Sequence, residues 1–154
     1  PVPLAALLRQ VVRAKQPQHP ALTLDIDTGA SAELVTSGDA ARIEQLFVHL
    51  IQNAIDASAP AAPVAVRAAI TPRDAVITIA DQGCGMSARF VRHELFQPFR
   101  STKPGGFGIG AYEAREIARA HGGQLDVVSR EGEGTVFTIT LPLAQPQIAG
   151  IAAQ

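Results

Sequence analysis

The sequence predicts an α+β fold, a two-layer α/β sandwich in which a mixed, mostly antiparallel sheet of about five strands is covered on one face by three helices. Three observations predict it. Residues 43–55 repeat their apolar side chains at the helical period, and 111–120 form a second long-helix candidate. Alternating segments flank tight turns at Pro72-Arg73-Asp74 and at 130–134. A glycine-rich stretch, 82–108, separates these halves and has the length of a functional loop.

The elements follow in order. Leu4, Leu7, Leu8, Val11 and Val12 share one face of an amphipathic helix over 3–14, stopped by Pro17 and Pro20. Leu22, Leu24 and Ile26 alternate with polar residues as in a half-buried strand, and 33–36 is expected to pair back on it after a turn at 28–31. Asp39 is placed to cap the main helix, where Ile43, Leu46, Phe47, Leu50, Ile51, Ala54 and Ile55 form the stripe, ended by Pro60 and Pro63. A hairpin over 64–71 and 75–81 follows, then only a short helical candidate at 87–95 within the loop. The helix at 111–120 closes on Gly122-Gly123, and strands at 124–129 and 135–141 complete the chain. One domain is expected over 1–142, with a flexible tail over 143–154.

Composition narrows the function classes. The 154 residues are 47% hydrophobic and 18% charged, enough to bury a core. Thirteen basic against fourteen acidic side chains lack the positive field of backbone-driven nucleic-acid binding, so no nucleic-acid partner is expected. The single cysteine, Cys84, forbids an internal disulfide framework or a multi-cysteine zinc site and fits the cytosol. No apolar run approaches the roughly 18 residues of a membrane span. The start, Pro1-Val2-Pro3-Leu4, resembles neither a signal peptide nor a natural initiation, and an excised piece is expected.

Three clusters carry chemistry. On the main helix, Gln45, His49, Asn53 and Asp56 lie near one another opposite the apolar stripe. At a strand end, Asp81-Gln82-Gly83-Cys84-Gly85-Met86 offers a carboxylate for an exocyclic amine, beside glycines that let a flat ring approach the backbone. Lys103-Pro104-Gly105-Gly106-Phe107-Gly108-Ile109-Gly110 runs into a helix, whose free amides suit phosphate oxygens. No Gly-Lys-Ser/Thr follows these glycines and no strand precedes them, which excludes a Walker loop and a Rossmann fingerprint.

In this order, Arg42 to Ala57, Asp81 to Met86, Phe96 to Lys103 and Gly106 to Gly110 resemble the N box, first glycine box, F box and second glycine box of sensor histidine kinases. His121-Gly122-Gly123 and Gly132 to Phe137 complete the resemblance, which covers residues 1–142 and points to the GHKL-type ATP-binding catalytic domain. The run Gly108 to Arg115 looks like kinases of exopolysaccharide and protein-sorting (PEP-CTERM) systems.

The resemblance implies ATP and Mg²⁺ as cofactors. It makes Asn53 the magnesium ligand and Asp81 the acceptor of the adenine amine, supported by Thr135 through a bridging water. Gly83 and Gly85 shape the adenine pocket; Gly106, Gly108 and Gly110 present the loop to the phosphates, with Lys103 as counter-charge, and Asp56 is a further nucleotide-binding candidate. Phe96 and Phe99 anchor a lid over 87–107. His49 stands where many sensor kinases have asparagine and the hydrolytic relatives a glutamate base, and imidazole is a candidate base there. His93-Glu94-Leu95-Phe96-Gln97-Pro98 imitates a phosphoacceptor box, but it lies between the glycine boxes, the wrong context.

The implied activity is transfer of the ATP γ-phosphate to a histidine on a separate dimerisation domain, upstream of a response regulator. The isolated domain is expected to be monomeric and cytoplasmic, with any membrane anchor elsewhere in the parent kinase. An anti-sigma-type serine kinase and a non-catalytic ATP-binding module are the alternatives.

Overall fold

The computed structural model describes residues 1–27, 31–98 and 110–144. The chain runs β1 (Val2–Pro3), α1 (Leu4–Lys15), β2 (Leu22–Ile26), a 3₁₀ turn (Ser31–Glu33), β3 (Val35–Thr36), α2 (Ala40–Ala57), β4 (Val64–Ile70), β5 (Asp74–Asp81), α3 (Ala88–His93), α4 (Ala111–Ala120), β6 (Gln124–Arg130) and β7 (Gly134–Pro142). Five strands form one sheet in the order β2-β4-β5-β7-β6. Only the β2–β4 pair is parallel, because α2 lies between them in the chain; the rest is antiparallel.

The three longer helices bury the stripes their sequences carry. Leu4, Leu8, Val11 and Val12 of α1, the seven apolar residues of α2, and Ala114, Ile117 and Ala118 of α4 join one core with the inner sheet residues Val66, Ile77, Ile79, Phe137 and Ile139. Asp39 accepts from the amides of Ala41 and Arg42, so it starts α2 as a side-chain cap worth typically about 1 kcal/mol. Gly122, at φ 79°, lets the chain turn back after α4 into β6.

Two expectations need correction. There are four helices among the described residues, the fourth being α3, a single short one that Ser87 caps through the Phe90 amide. The segment 33–36 does not pair with β2. Its last two residues pair with Val2 and Pro3 in a separate two-stranded sheet, because Leu4 N–H donates to the Leu34 carbonyl and draws the N-terminal residues across. At the other end, Leu143 is buried and Ala144 donates to the Val35 carbonyl, so contacts continue two residues past 142. Residues 145–154 of the expected tail lie outside the described residues.

Candidate functional site

The inner face of the sheet changes character in its last row. The rows Val66-Ile79-Phe137-Val127 and Ala68-Ile77-Ile139-Leu125 are apolar, whereas the next row reads Val64, Asp81, Thr135, Ser129. Alternation puts Asp81 on the core side, since Ala75, Ile77 and Ile79 share its face. Asp81 and Thr135 are both buried.

Main-chain amides hold the Asp81 carboxylate. Gly83 N–H donates to Oδ1 at 2.8 Å and the Thr135 amide also donates, and no basic side chain among the described residues pairs with it. Burial raises its pKa above the ordinary carboxylate range, against the smaller opposing pull of these two amides. Such an acid gains from any ligand that brings an N–H donor without bulk water.

Ser129 is a site residue that sequence reasoning missed. Its Oγ lies 2.7 Å from Thr135 Oγ1, accepts from Met86 N–H at 2.8 Å and faces the Gly134 carbonyl at 3.2 Å. Thr135 therefore sits between Asp81 on one strand and Ser129 on the other. A serine inside an alternating strand carries no signal until its cross-strand partner is known.

Close approach explains the two glycines after Asp81. A Cβ on Gly83 would stand 2.3 Å from the Ala57 carbonyl oxygen, and one on Gly85, which has φ +68°, would stand 1.9 Å from the Arg130 carbonyl oxygen. The loop is thereby pressed between the end of α2 and the β6–β7 turn, where Gly132 N–H donates to the Cys84 carbonyl at 2.7 Å. Asp81 thus stands beside the last turn of α2, one turn beyond Asn53.

On that helix the Asn53 amide Nδ2 donates to His49 Nε2 at 3.0 Å. A neutral imidazole that accepts at Nε2 carries its proton on Nδ1. The same bond turns the Asn53 carbonyl oxygen away from the ring. Asp56 is exposed and accepts from Gln52 Nε2 at 2.8 Å, while Lys15 of α1 donates to Gln52 Oε1 at 2.7 Å. Lys15 and Gln52 are further residues that the sequence did not reveal.

The third cluster is described only at its end. Gly110 N–H donates to Glu113 Oε2 at 2.9 Å and opens α4. Behind it, Arg115 lies 4.4 Å over the ring of Phe96. Phe99, Lys103, Gly106 and Gly108 lie outside the described residues.

The arrangement holds a buried carboxylate, a neutral amide oxygen on a helix face and a helix start, and similarity to known proteins gives its family. The model of the histidine kinase-, DNA gyrase B- and HSP90-like ATPases matches residues 38–145. The chain belongs to this ATPase family. Sporulation kinase C of Bacillus subtilis (strain 168) is 36% identical over 107 residues, covering 70% of this chain and 25% of that protein. The C4-dicarboxylate transport sensor protein DctS of Rhodobacter capsulatus is 41% identical over 107 residues, 67% of this chain and 16% of that protein. The chain thus spans a quarter or less of these relatives. Among solved structures, the catalytic domain of histidine kinase ThkA superposes with a TM-score of 0.78 at 25% identity, covering 92% of this chain and 95% of that one.

Membership in this ATPase family makes ATP the nucleotide.

Proposed function

We propose that this domain binds Mg·ATP and donates the γ-phosphate to a histidine on a separate dimerisation domain, upstream of an aspartate-accepting response regulator. The observation that carries the reading is the buried Asp81 carboxylate, held among the described residues by main-chain amides alone at the end of a sheet that is otherwise apolar inside. The exocyclic amine of adenine is the donor such an acceptor lacks, and the carbonyl of guanine at that place would be repelled.

The donor set on α2 fits magnesium. Among the described residues no group of three or more His, Cys, Asp and Glu could hold a metal, and magnesium needs few protein ligands when phosphates supply the rest. Asn53 Oδ1 is a neutral oxygen whose direction His49 sets by holding Nδ2. When bound, the ion neutralises charge on the phosphates during transfer. His49 Nε2 is already occupied by the Asn53 amide, which favours a positioning role for His49 over the base role its chemistry also permits.

In the transfer, an imidazole nitrogen of the acceptor forms a bond to the γ-phosphorus as the bond to the β,γ-bridging oxygen breaks and ADP leaves. The chain's part is binding, orientation and exclusion of water. Lys103, Gly106 and Gly108 are assigned to the phosphates and Thr135 to Asp81, as the motif order implies. Among the described residues no helix is long and apolar enough to cross a membrane. The assignment of the domain to the cytoplasm rests on the ATP-dependent kinase reading.

The test is reconstitution. The isolated chain, incubated with labelled ATP, is expected to stay unlabelled and monomeric, and addition of its cognate helical hairpin to yield an acid-labile, base-stable phosphohistidine on the hairpin. The yield in trans should be low, because the covalent link that raises effective concentration to about the millimolar range is missing. Tight ATP binding without any transfer would make the chain a regulatory module instead. Label on His93 of the isolated chain would overturn the division of labour.

A further inference from the structure

One side chain, remote from the nucleotide chemistry, joins the two helices that carry it. His121 follows α4 directly. Its Nδ1–H donates to the Ile117 carbonyl at 2.8 Å, and its Nε2 accepts the main-chain N–H of Asp39 at 3.1 Å. Asp39 is the N-cap of α2, and its carboxylate serves Ala41 and Arg42, leaving its own N–H to the imidazole. Gly38 makes room for the ring, since a Cβ there would stand 2.0 Å from His121 Cδ2.

The joint lies at the opposite end of both helices from the site. α2 starts at it and α4 ends at it, so the packed pair runs antiparallel. At 1.5 Å per residue, Asn53 lies about 20 Å along α2 from Asp39, and Gly110 about 16 Å along α4 from His121. The core contacts of α4, through Ala114, Ile117 and Ala118, are apolar and non-directional, whereas hydrogen bonds set angle and axial position. Over a 20 Å arm, a splay of about 3° shifts the far end by about 1 Å, a misplacement large enough to matter for catalysis.

We propose that His121 is a positioning residue that fixes the angle and axial register between α2 and α4, so that Asn53 and the start of α4 meet the same bound Mg·ATP. The proposal rests on the reading above that these helix ends hold the nucleotide. His121 touches neither substrate nor metal and acts through Asp39 and Ile117.

The experiment is calorimetric binding of Mg·ATP to the chain and its variants, at a temperature where circular dichroism shows each of them folded. His121→Phe keeps a planar ring and removes both hydrogen bonds, and it should weaken Mg·ATP about three- to tenfold. His121→Gln, whose amide carbonyl reaches as far as Nε2, should recover most of that loss. A purely structural residue would lower Tm and leave the affinity unchanged, so a His121→Phe affinity within about twofold of the wild type overturns the proposal. If His121→Phe does not fold, Gly38→Ala displaces the ring from the α2 side, and unchanged Mg·ATP affinity in that variant overturns it equally. A wild-type chain that binds no Mg·ATP overturns the functional reading and the joint with it; a wild-type chain that binds, with variants that bind as well, overturns only the joint.

Discussion

On the outer face of the sheet, Asp25 of β2 meets Arg67 of β4 at 3.5 Å, with the two side chains 67% and 71% exposed. On the inner face, Asp81 of β5 is buried, paired among the described residues only with amides, and shifted toward its neutral form. Both are carboxylates on one sheet, yet they do different work. Water screens the exposed pair, whose contribution to stability falls in the range of about 0 to 1 kcal/mol. The buried acid is a cost to the empty domain and a gain to a ligand that donates to it, and in the function proposed above the residue that carries this cost is the one that selects the nucleotide. Stability and function are thus separated across the thickness of one β-layer.

The sharpest way to break this contrast is Asp81→Asn. ATP binding should weaken by about 1.5 to 3 kcal/mol, roughly ten- to a hundredfold, the range for a lost charge-assisted hydrogen bond. GTP should bind poorly to the wild type. Equal ATP and GTP affinities by calorimetry would remove Asp81 from the adenine site.

Next in size is the metal. Asn53→Ala should abolish the dependence of nucleotide affinity on magnesium, with the fold intact because Asn53 lies off the apolar stripe of α2. Titrations with and without the ion measure it. Wild-type transfer to the helical hairpin by that variant would make Asn53 an ordinary surface residue.

The third test reads the cost of Asp81 directly. Its folded pKa is raised above the ordinary 3.8, so the folded state holds its proton more tightly than the unfolded chain. Stability from this group is present below 3.8 and is lost as pH rises from there through the raised value. Urea unfolding of the nucleotide-free domain should therefore show Asp81→Asn more stable than the wild type at neutral pH, with the gap closing in acid. A variant less stable than the wild type at neutral pH would show that the amide bonds outweigh desolvation.

The smallest effect belongs to the outer pair. Asp25→Asn should change stability by less than about 1 kcal/mol and leave ATP affinity unaltered, which a single Tm series in low and high salt would check. A larger loss would mean that the two faces differ less than their exposure indicates.

Much of this molecule is local in origin. Apolar spacing alone marks α2 and its Asp39 cap, alternation marks β4 to β7, and Gly122-Gly123 marks the end of α4, because each is decided by residues a few positions apart. The order of the glycine-rich and polar motifs likewise points to the ATPase family before any contact is known. Tertiary structure decided what depends on residues far apart in the chain. It moved Val35 and Thr36 from β2 to the N-terminal strand, set Ser129 beside Thr135, tied Lys15 to Gln52, and brought His121 to Asp39 across 82 positions. Even Gly83 and Gly85, visible as glycines from the start, owe their necessity to the Ala57 and Arg130 carbonyls against which the loop is pressed. A linear pattern records which face a residue will take; which neighbour it meets there is settled only when strands and helices from distant parts of the chain compete for the same core.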